Sequence, residues 1–333
     1  MRKLILILGC SLFICQMSLA QKGQNLTSVK SISEVDMKKD VKLSNKGVAK
    51  KMKTVAVTKT ALHFKEITVG KALAGKGMQE RVGSTTWAIL DGVDDELMQS
   101  LADEFYHILN QKLQNAGYQT VDWETVTAAK AYEKLSDKEA SREMSSKEHG
   151  AAQTFTAFNG ANTKQLEGNI GTWSQYGKLA KELNAFPLAI DLFIDFAVFD
   201  IDLRRRRGYK YTETTASAHV VPEISIKPYL GGETLPIGYA PAYSNISVTQ
   251  SYGKSTIINI NKNVSIPGEI ASSIDGYSGK LPKKMKRWIS IGDNLTTGTF
   301  VIHADPELFR KAVLNALSEY TDVLIAKMLE VKK

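Results

Sequence analysis

Cysteine is almost missing from this 333-residue sequence: the two present, Cys10 and Cys15, both fall within the first twenty residues. Beyond them the chain has no disulfide to staple it, no thiolate nucleophile and no Cys-ligated metal site. Histidine is nearly as scarce. His63, His107, His149, His219 and His303 are scattered, with no H-E-x-x-H spacing to bring two imidazoles onto one helix face. Phosphate- and dinucleotide-binding glycine loops are absent, since Gly75 and Gly77 lack the third glycine. There is no G-x-S-x-G elbow. The one serine-x-x-lysine string, Ser251 to Lys254, contains Tyr252-Gly253, which reads as a turn, whereas that chemistry needs the lysine one helical turn from the serine. No cofactor is expected, and any enzymatic site would have to be assembled from distant segments.

Long apolar runs are missing too, except at the start. Met1, Arg2 and Lys3 give a positive beginning, Leu4 to Ile14 an apolar stretch broken only by Gly9, Cys10 and Ser11, and Ser18 and Ala20 the small residues that a signal peptidase reads. Residues 1–20 are therefore expected to be a secretory signal, too short to span a bilayer, with the mature chain starting at Gln21. A second reading makes Cys10 or Cys15 a lipid-modified cysteine, but only Leu4 to Leu8 precede the Gly9-Cys10 pair. The expected location is exported: periplasmic, outer-membrane associated or extracellular. Losing Arg2 and Lys3 with the signal lowers the formal charge from +8 to +6. With 43% hydrophobic residues, an exported chain of this length can be held together by its core alone.

What is present is organised along the chain. Residues 21–53 are rich in Lys and Ser, without aromatics or a sustained apolar period, and are expected to form a flexible basic arm whose lysines suit an acidic surface or simply keep the chain soluble. From Thr54 to the C-terminus a single α/β (α+β) domain is expected: a mixed, largely antiparallel sheet with packed helices. Strands are predicted at Thr54 to Thr58, Ala61 to Val69 and Thr85 to Leu90. A helix follows, with Leu97, Leu101, Phe105, Ile108, Leu109 and Leu113 inward, an Asp94 or Asp95 cap and a stop at Gly117. A short strand, Tyr118 to Val121, leads to a helix capped by Asp122 with Val126, Ala129, Tyr132 and Leu135 inside. Broken helix and loop are expected from Ser136 to Thr172, then a helix through Tyr176, Leu179, Ala180 and Leu183.

The strongest strand signal is Leu188 to Leu203, where Leu188, Ile190, Leu192, Ile194, Phe196 and Val198 alternate with Ala189, Asp191, Phe193, Asp195 and Phe199. It opens a long hairpin at about 188–226. After a Gly/Pro-rich loop between Tyr229 and Ser244, further strands are read at Asn245 to Thr249, Thr256 to Ile260 and Thr299 to His303. The chain closes with an Asp305-Pro306 cap and a helix lined by Phe309, Val313, Leu317, Tyr320, Leu324 and Met328.

Two features invite functional readings. Arg204, Arg205, Arg206 and Arg207 lie at the hairpin end, near Tyr209 and Tyr211. If Gly208-Tyr209 is a two-residue turn, Arg204 faces Glu213 and Arg206 faces Tyr211. This tip suits an anionic envelope component, either a lipid headgroup, lipopolysaccharide or glycan, or an envelope protein. The plainer reading is a charged hairpin end that protects an edge strand. Nucleic acid is not an expected partner, because the basic residues do not interleave with exposed aromatics. Asp191 and Asp195 suggest a glycosidase, but four residues along a strand is ~13 Å, beyond the carboxylate separation which that hydrolysis uses.

The order of the segments YHILNQKLQNAGYQTVDWETVTAAKAYEKL, LAKELNAFPLAIDLFIDF and ELFRKAVLNALSEYTDVLIAKM resembles the curli-assembly family of outer-membrane secretion proteins and related periplasmic α/β domains. Gly117 to Asp122, Ala180 to Asn184 and Lys311 to Leu317 occupy the places of the family's corresponding motifs, none of them catalytic. The resemblance implies a periplasm-facing α/β domain at the outer membrane, assembled as a homo-oligomer. The sequence departs from the family at Gln21, where members carry a lipid-anchored cysteine. The leading expectation is a non-enzymatic envelope protein that binds or assembles. A hydrolase or carbohydrate-active enzyme and an oligomeric secretion component are the alternatives; in the latter the Arg204 to Arg207 run interrupts the apolar face that a membrane hairpin requires.

Overall fold

A computed structural model describes residues 29–74, 82–143, 151–160, 162–165, 170–207, 212–228, 244–277 and 294–332. The leader, His149, Tyr209, Tyr211 and the predicted loop from Tyr229 to Pro241 and beyond to residue 243 lie outside these residues. In chain order the elements are β1 (Lys30–Ser31), β2 (Val41–Leu43), α1 (Lys46–Lys51), β3 (Thr54–Ala74), β4 (Val82–Asp91), α2 (Asp95–Asn115), β5 (Gln119–Thr120), α3 (Trp123–Thr127) and α4 (Lys130–Glu133). Four short strands follow, β6 (Ser136–Glu139), β7 (Ser141–Glu143), β8 (Ala151–Phe158) and β9 (Asn162–Gln165), then α5 (Ile170–Glu182), β10 (Phe186–Arg207) and β11 (Thr212–Lys227). The chain ends with β12 (Asn245–Ser251), β13 (Lys254–Ile260), β14 (Val264–Ile266), β15 (Ala271–Gly276), β16 (Asn294–Ala304) and α6 (Pro306–Glu330).

The main sheet is mixed and curled. Its order is β1-β14-β11-β10-β3-β4-β16-β15, with β12, β13 and β2 joined through β10, and β8 and β7 through β3. Antiparallel pairs dominate, but β10 runs parallel to β3 and β16 parallel to β4. Helices α2 and α6 cover one face. The α2 side chains Leu101, Phe105, Leu109 and Leu113 and the α6 stripe of Phe309, Val313, Leu317, Tyr320, Leu324 and Met328 are buried against Leu188, Ile190, Leu192 and Ile194 of β10. Truncating one of the large side chains here to alanine costs about 2–5 kcal/mol. At their ends, Asp94 accepts from the Leu97 N–H at 2.8 Å and Asp305 from the Glu307 and Leu308 N–H groups. Gly117, at φ +81, takes the left-handed conformation that closes α2. A smaller cluster joins Ala56, Val126, Tyr132, Tyr176 and Leu179 where α3, α4 and α5 pack beside the sheet.

Three expectations are corrected. Residues 30–53 are not a loose arm: β2 pairs with β13, Val41, Val48, Ala49 and Met52 are buried, and Lys327 of α6 donates to the Met37 carbonyl at 2.7 Å. Elements of three to six residues are too short to display a period, so the apolar anchors were invisible among the lysines. The stretch expected as broken helix and loop from Ser136 to Thr172 holds, in its described residues up to Gln165, the strands β6 to β9. Its Thr/Phe-rich β8 is stabilised by pairing with the distant β3, a contact no local pattern announces. The helix expected after Asp122 breaks at Ala129, whose ψ of 128 is extended, and the Asp122 side chain makes no cap bond. The four predicted inner residues are buried all the same.

Strands β3 and β10 outrun the core. Their mutual pairing ends at Ile194–Phe64. Past that level β10 continues with β11 as a two-stranded ribbon, and β3 continues with β4 and β16 as a second, three-stranded one. The ribbons approach closely where Gly70 of β3 meets the Phe199 ring, a contact that a Cβ would block.

Candidate functional site

The arginines lie at the far end of the first ribbon. Backbone pairing places Arg204 across from Thr215, Arg206 across from Glu213 and Arg207 across from Thr212. The expected partners, Glu213 for Arg204 and Tyr211 for Arg206, are thus wrong by two residues, because four residues and not two connect the strands. A two-residue register shift leaves each position on its original face. Positions 199, 201 and 203 share a face with 220, 218 and 216, and the sequence puts Phe, Ile, Leu, Val, Ala and Ala there. Positions 200, 202, 204 and 206, with 219, 217, 215 and 213, form the opposite face, where the residues are Asp, Asp, Arg, Arg, His, Ser, Thr and Glu. The ribbon is therefore amphipathic in pattern, and only Arg205 and Arg207 fall on the apolar side, at its very end.

The second cluster lies where the ribbons leave the core, on the sheet face opposite α2 and α6. Odd positions of β3 carry Lys59, His63 and Lys65; odd positions of β10 carry Asp191, Phe193 and Asp195; β11 adds Ser225 and Lys227. Lys59 Nζ donates to Asp191 Oδ1 at 2.7 Å, His63 Nε2 lies 3.4 Å from the same oxygen, and His63 Nδ1 is 3.0 Å from Thr156 Oγ1. The His63 ring stacks on Phe193 at 4.3 Å. Four residues further along β10, Asp195 Oδ2 accepts from Thr68 Oγ1 at 2.9 Å and pairs with Lys65 Nζ at 3.4 Å and with Lys227 Nζ.

Burial sets the electrostatics. Asp195 has no exposed surface and Lys65 is 4% exposed. Burial raises the Asp195 carboxyl, but Lys227 and Lys65 more than reverse that and hold it low. Asp191 is likewise raised by burial and pulled down to about 2 by Lys59 and His63. Lys65 goes the other way: burial, then the Lys227 ammonium, push it down to about 7 against the pull of Asp195. Neither aspartate has the raised pKa of a general acid, and each is committed to its own cations, so the pair offers no support for glycoside hydrolysis.

Sequence reasoning singled out Asp191 and Asp195 as polar-face residues but took His63 alone and did not connect the three lysines. The signal was present in the odd positions of β3, where Lys59, His63 and Lys65 interrupt the apolar series Val55, Val57, Ala61, Ile67 and Val69. Elsewhere, His303 bridges Asp91 at 2.8 Å and Asp275 at 3.2 Å on the exposed rim of the sheet. Among the described residues no three His, Cys, Asp or Glu side chains form a metal site, and no helix is long and apolar enough to cross a membrane. No family model matches the chain, and no curated protein or solved structure is detectably similar to it.

Proposed function

We propose that this chain is an exported, non-enzymatic envelope protein that assembles at the outer membrane as a homo-oligomer, using the strands that run past its core. The β10–β11 ribbon carries this reading. From position 197 to 207 it extends eleven residues, about 36 Å, with one face apolar in sequence and the other polar. A two-stranded ribbon is marginal in water on its own, and although this one touches the second ribbon at Phe199, among the described residues no strand hydrogen-bonds to its outer edges beyond Ile224 and Ile194. Copies of the chain joined edge to edge would supply the missing partners. A strand that crosses a bilayer needs about 9–11 residues with alternating faces, which this segment has in length. The apolar positions end before Arg205, leaving the arginines at the far aqueous side, where they would meet anionic headgroups or glycans. The leader-like residues 1–20 and the likeness in segment order to curli-assembly proteins point the same way.

The test is fractionation of the native envelope with the sedimentation state read alongside. Wild type is expected in the outer membrane as a detergent-released particle of several copies. Ile201→Asp with Leu203→Asp is expected to leave a folded, soluble monomer. Recovery of wild type as a soluble monomer would overturn the assembly reading and send the search to a ligand-binding role.

A further inference from the structure

The apolar side of the β10–β11 ribbon is not turned outward at its base. Phe199 is 5% exposed and joins the main core with Ala197, and Val220, its cross-strand partner, packs against the same core. The other side is the open one. Val221 is 42% exposed there, and His219 is exposed as well. The ribbon leans over its neighbour, with β11 lying against β4 and β16 and β10 against β4.

The surface beneath it suits a large side chain. In the β3–β4 register Thr68 pairs with Ala88 and Gly70 with Thr86, and Gly298 of β16 pairs with Thr86 in turn. Thr68, Gly70, Thr86 and Ala88 are all buried. The reverse side of the same strands carries Ile67, Val69, Trp87 and Ile89, a far bulkier set. Small residues at this level of β3 and β4 are thus confined to the side that meets Phe199. A Cβ on Gly70 would come within 2.8 Å of Phe199 Cδ1, and Gly70 lies in ordinary strand backbone without a positive φ, so the contact requires its size alone. Thr68 Oγ1 donates to Asp195 Oδ2 at 2.9 Å, which adds a bond between the same two strands. Just below, β3 bulges at Lys65–Ile67, and β10 and β11 slip register between Asp195 and Ala197, irregularities at which a strand pair bends.

This packing conflicts with what membrane assembly requires. In a bilayer the apolar side of the ribbon faces lipid, and its base cannot do so while Phe199 lies on Gly70. We infer that the single chain holds the ribbon in a docked, pre-assembly position, with Phe199 on the small-residue side of β3 and β4 as the catch, and that assembly requires the ribbon to lift away about the joint at Asp195. The inference rests on the assembly reading and adds its control: the base of the apolar side stays covered until copies meet at the membrane.

Cys10 and Cys15 are the only cysteines of the chain, so with both changed to serine Thr86→Cys supplies a single thiol under the docked ribbon. N-ethylmaleimide is expected to label it slowly in the soluble protein. Labelling should become about tenfold faster or more once Gly70→Ala overfills the contact or Phe199→Ala removes the catch, with far-ultraviolet circular dichroism unchanged. Mixed with vesicles of phosphatidylethanolamine and phosphatidylglycerol, both variants should form sedimenting particles faster than wild type. Met52→Ala, which weakens the core away from the ribbons, should not. Labelling as slow in both ribbon variants as in wild type overturns the catch. Assembly no faster in them than in Met52→Ala overturns its control of assembly. Wild type that never joins the vesicles overturns the assembly reading itself, and the release with it.

Discussion

Lys65 is where burial and charge are most directly opposed. Its folded proton affinity lies near pH 7 because burial and Lys227 disfavour the ammonium, while in the unfolded chain it returns to about 10.5. Between those values the unfolded chain holds a proton that the folded one lacks. Stability contributed by this group is therefore flat below pH 7 and rises with pH from 7 toward 10.5. Urea midpoints measured from pH 6 to 10 should show that rise in the difference between wild type and Lys65→Met, with the variant flatter. A parallel pair of curves would mean that Lys65 keeps its ordinary proton affinity in the fold. The sequence could flag Asp191 and Asp195 as carboxylates on a strand face. It could not say which cations meet them, because Lys59 and Lys65 come from a strand more than a hundred residues earlier, brought alongside only by parallel pairing.

At the scale of elements, long periodic segments were readable and short ones were not. The α6 stripe, the α2 face and the even positions of β10 follow from spacing alone, since ten or more residues repeat the same apolar choice. β2 and α1 have three and six residues, and their burial depends on β13 and α6. Met52 makes the point testable. It has no exposed surface and belongs to the main core, so Met52→Ala should lower unfolding stability by about 2–5 kcal/mol in a urea titration. A loss under half a kcal/mol would restore the view of residues 21–53 as a loose arm. The ribbon register shows a different limit. The hairpin itself was evident from sequence, but its pairing slipped by two because the length of the turn is not written in the residues that flank it.

For the whole molecule, one continuous sheet carries the N-terminal segment, both ribbons and the C-terminal helix, so these parts should unfold together. Thermal unfolding followed by far-ultraviolet circular dichroism and by tryptophan fluorescence is expected to give coincident transitions. Limited proteolysis should not release residues 30–53 ahead of the rest. Separate transitions would mean that the ribbons or the N-terminal segment behave as independent units. The proposed assembly is also a statement at this scale. The ribbons touch where Gly70 meets Phe199, but among the described residues the outer edges of the β10–β11 ribbon beyond Ile224 and Ile194 have no hydrogen-bonded strand, and a second copy is the partner with matching strands.

The sequence by itself determined the α/β class, the main helices with their caps and inner faces, the strongest strand, and the lack of any contiguous catalytic motif. These depend on the period of nearby residues and on residue chemistry, both of which are local. The tertiary structure decided the rest: the packing of residues 30–53, the strands between Ser136 and Gln165, the ribbon register, and the meeting of Lys59, His63, Lys65, Asp191, Asp195, Ser225 and Lys227. Each of those requires strands far apart in the chain to lie side by side, and hydrogen-bond pairing between distant strands leaves no periodic trace in either one alone.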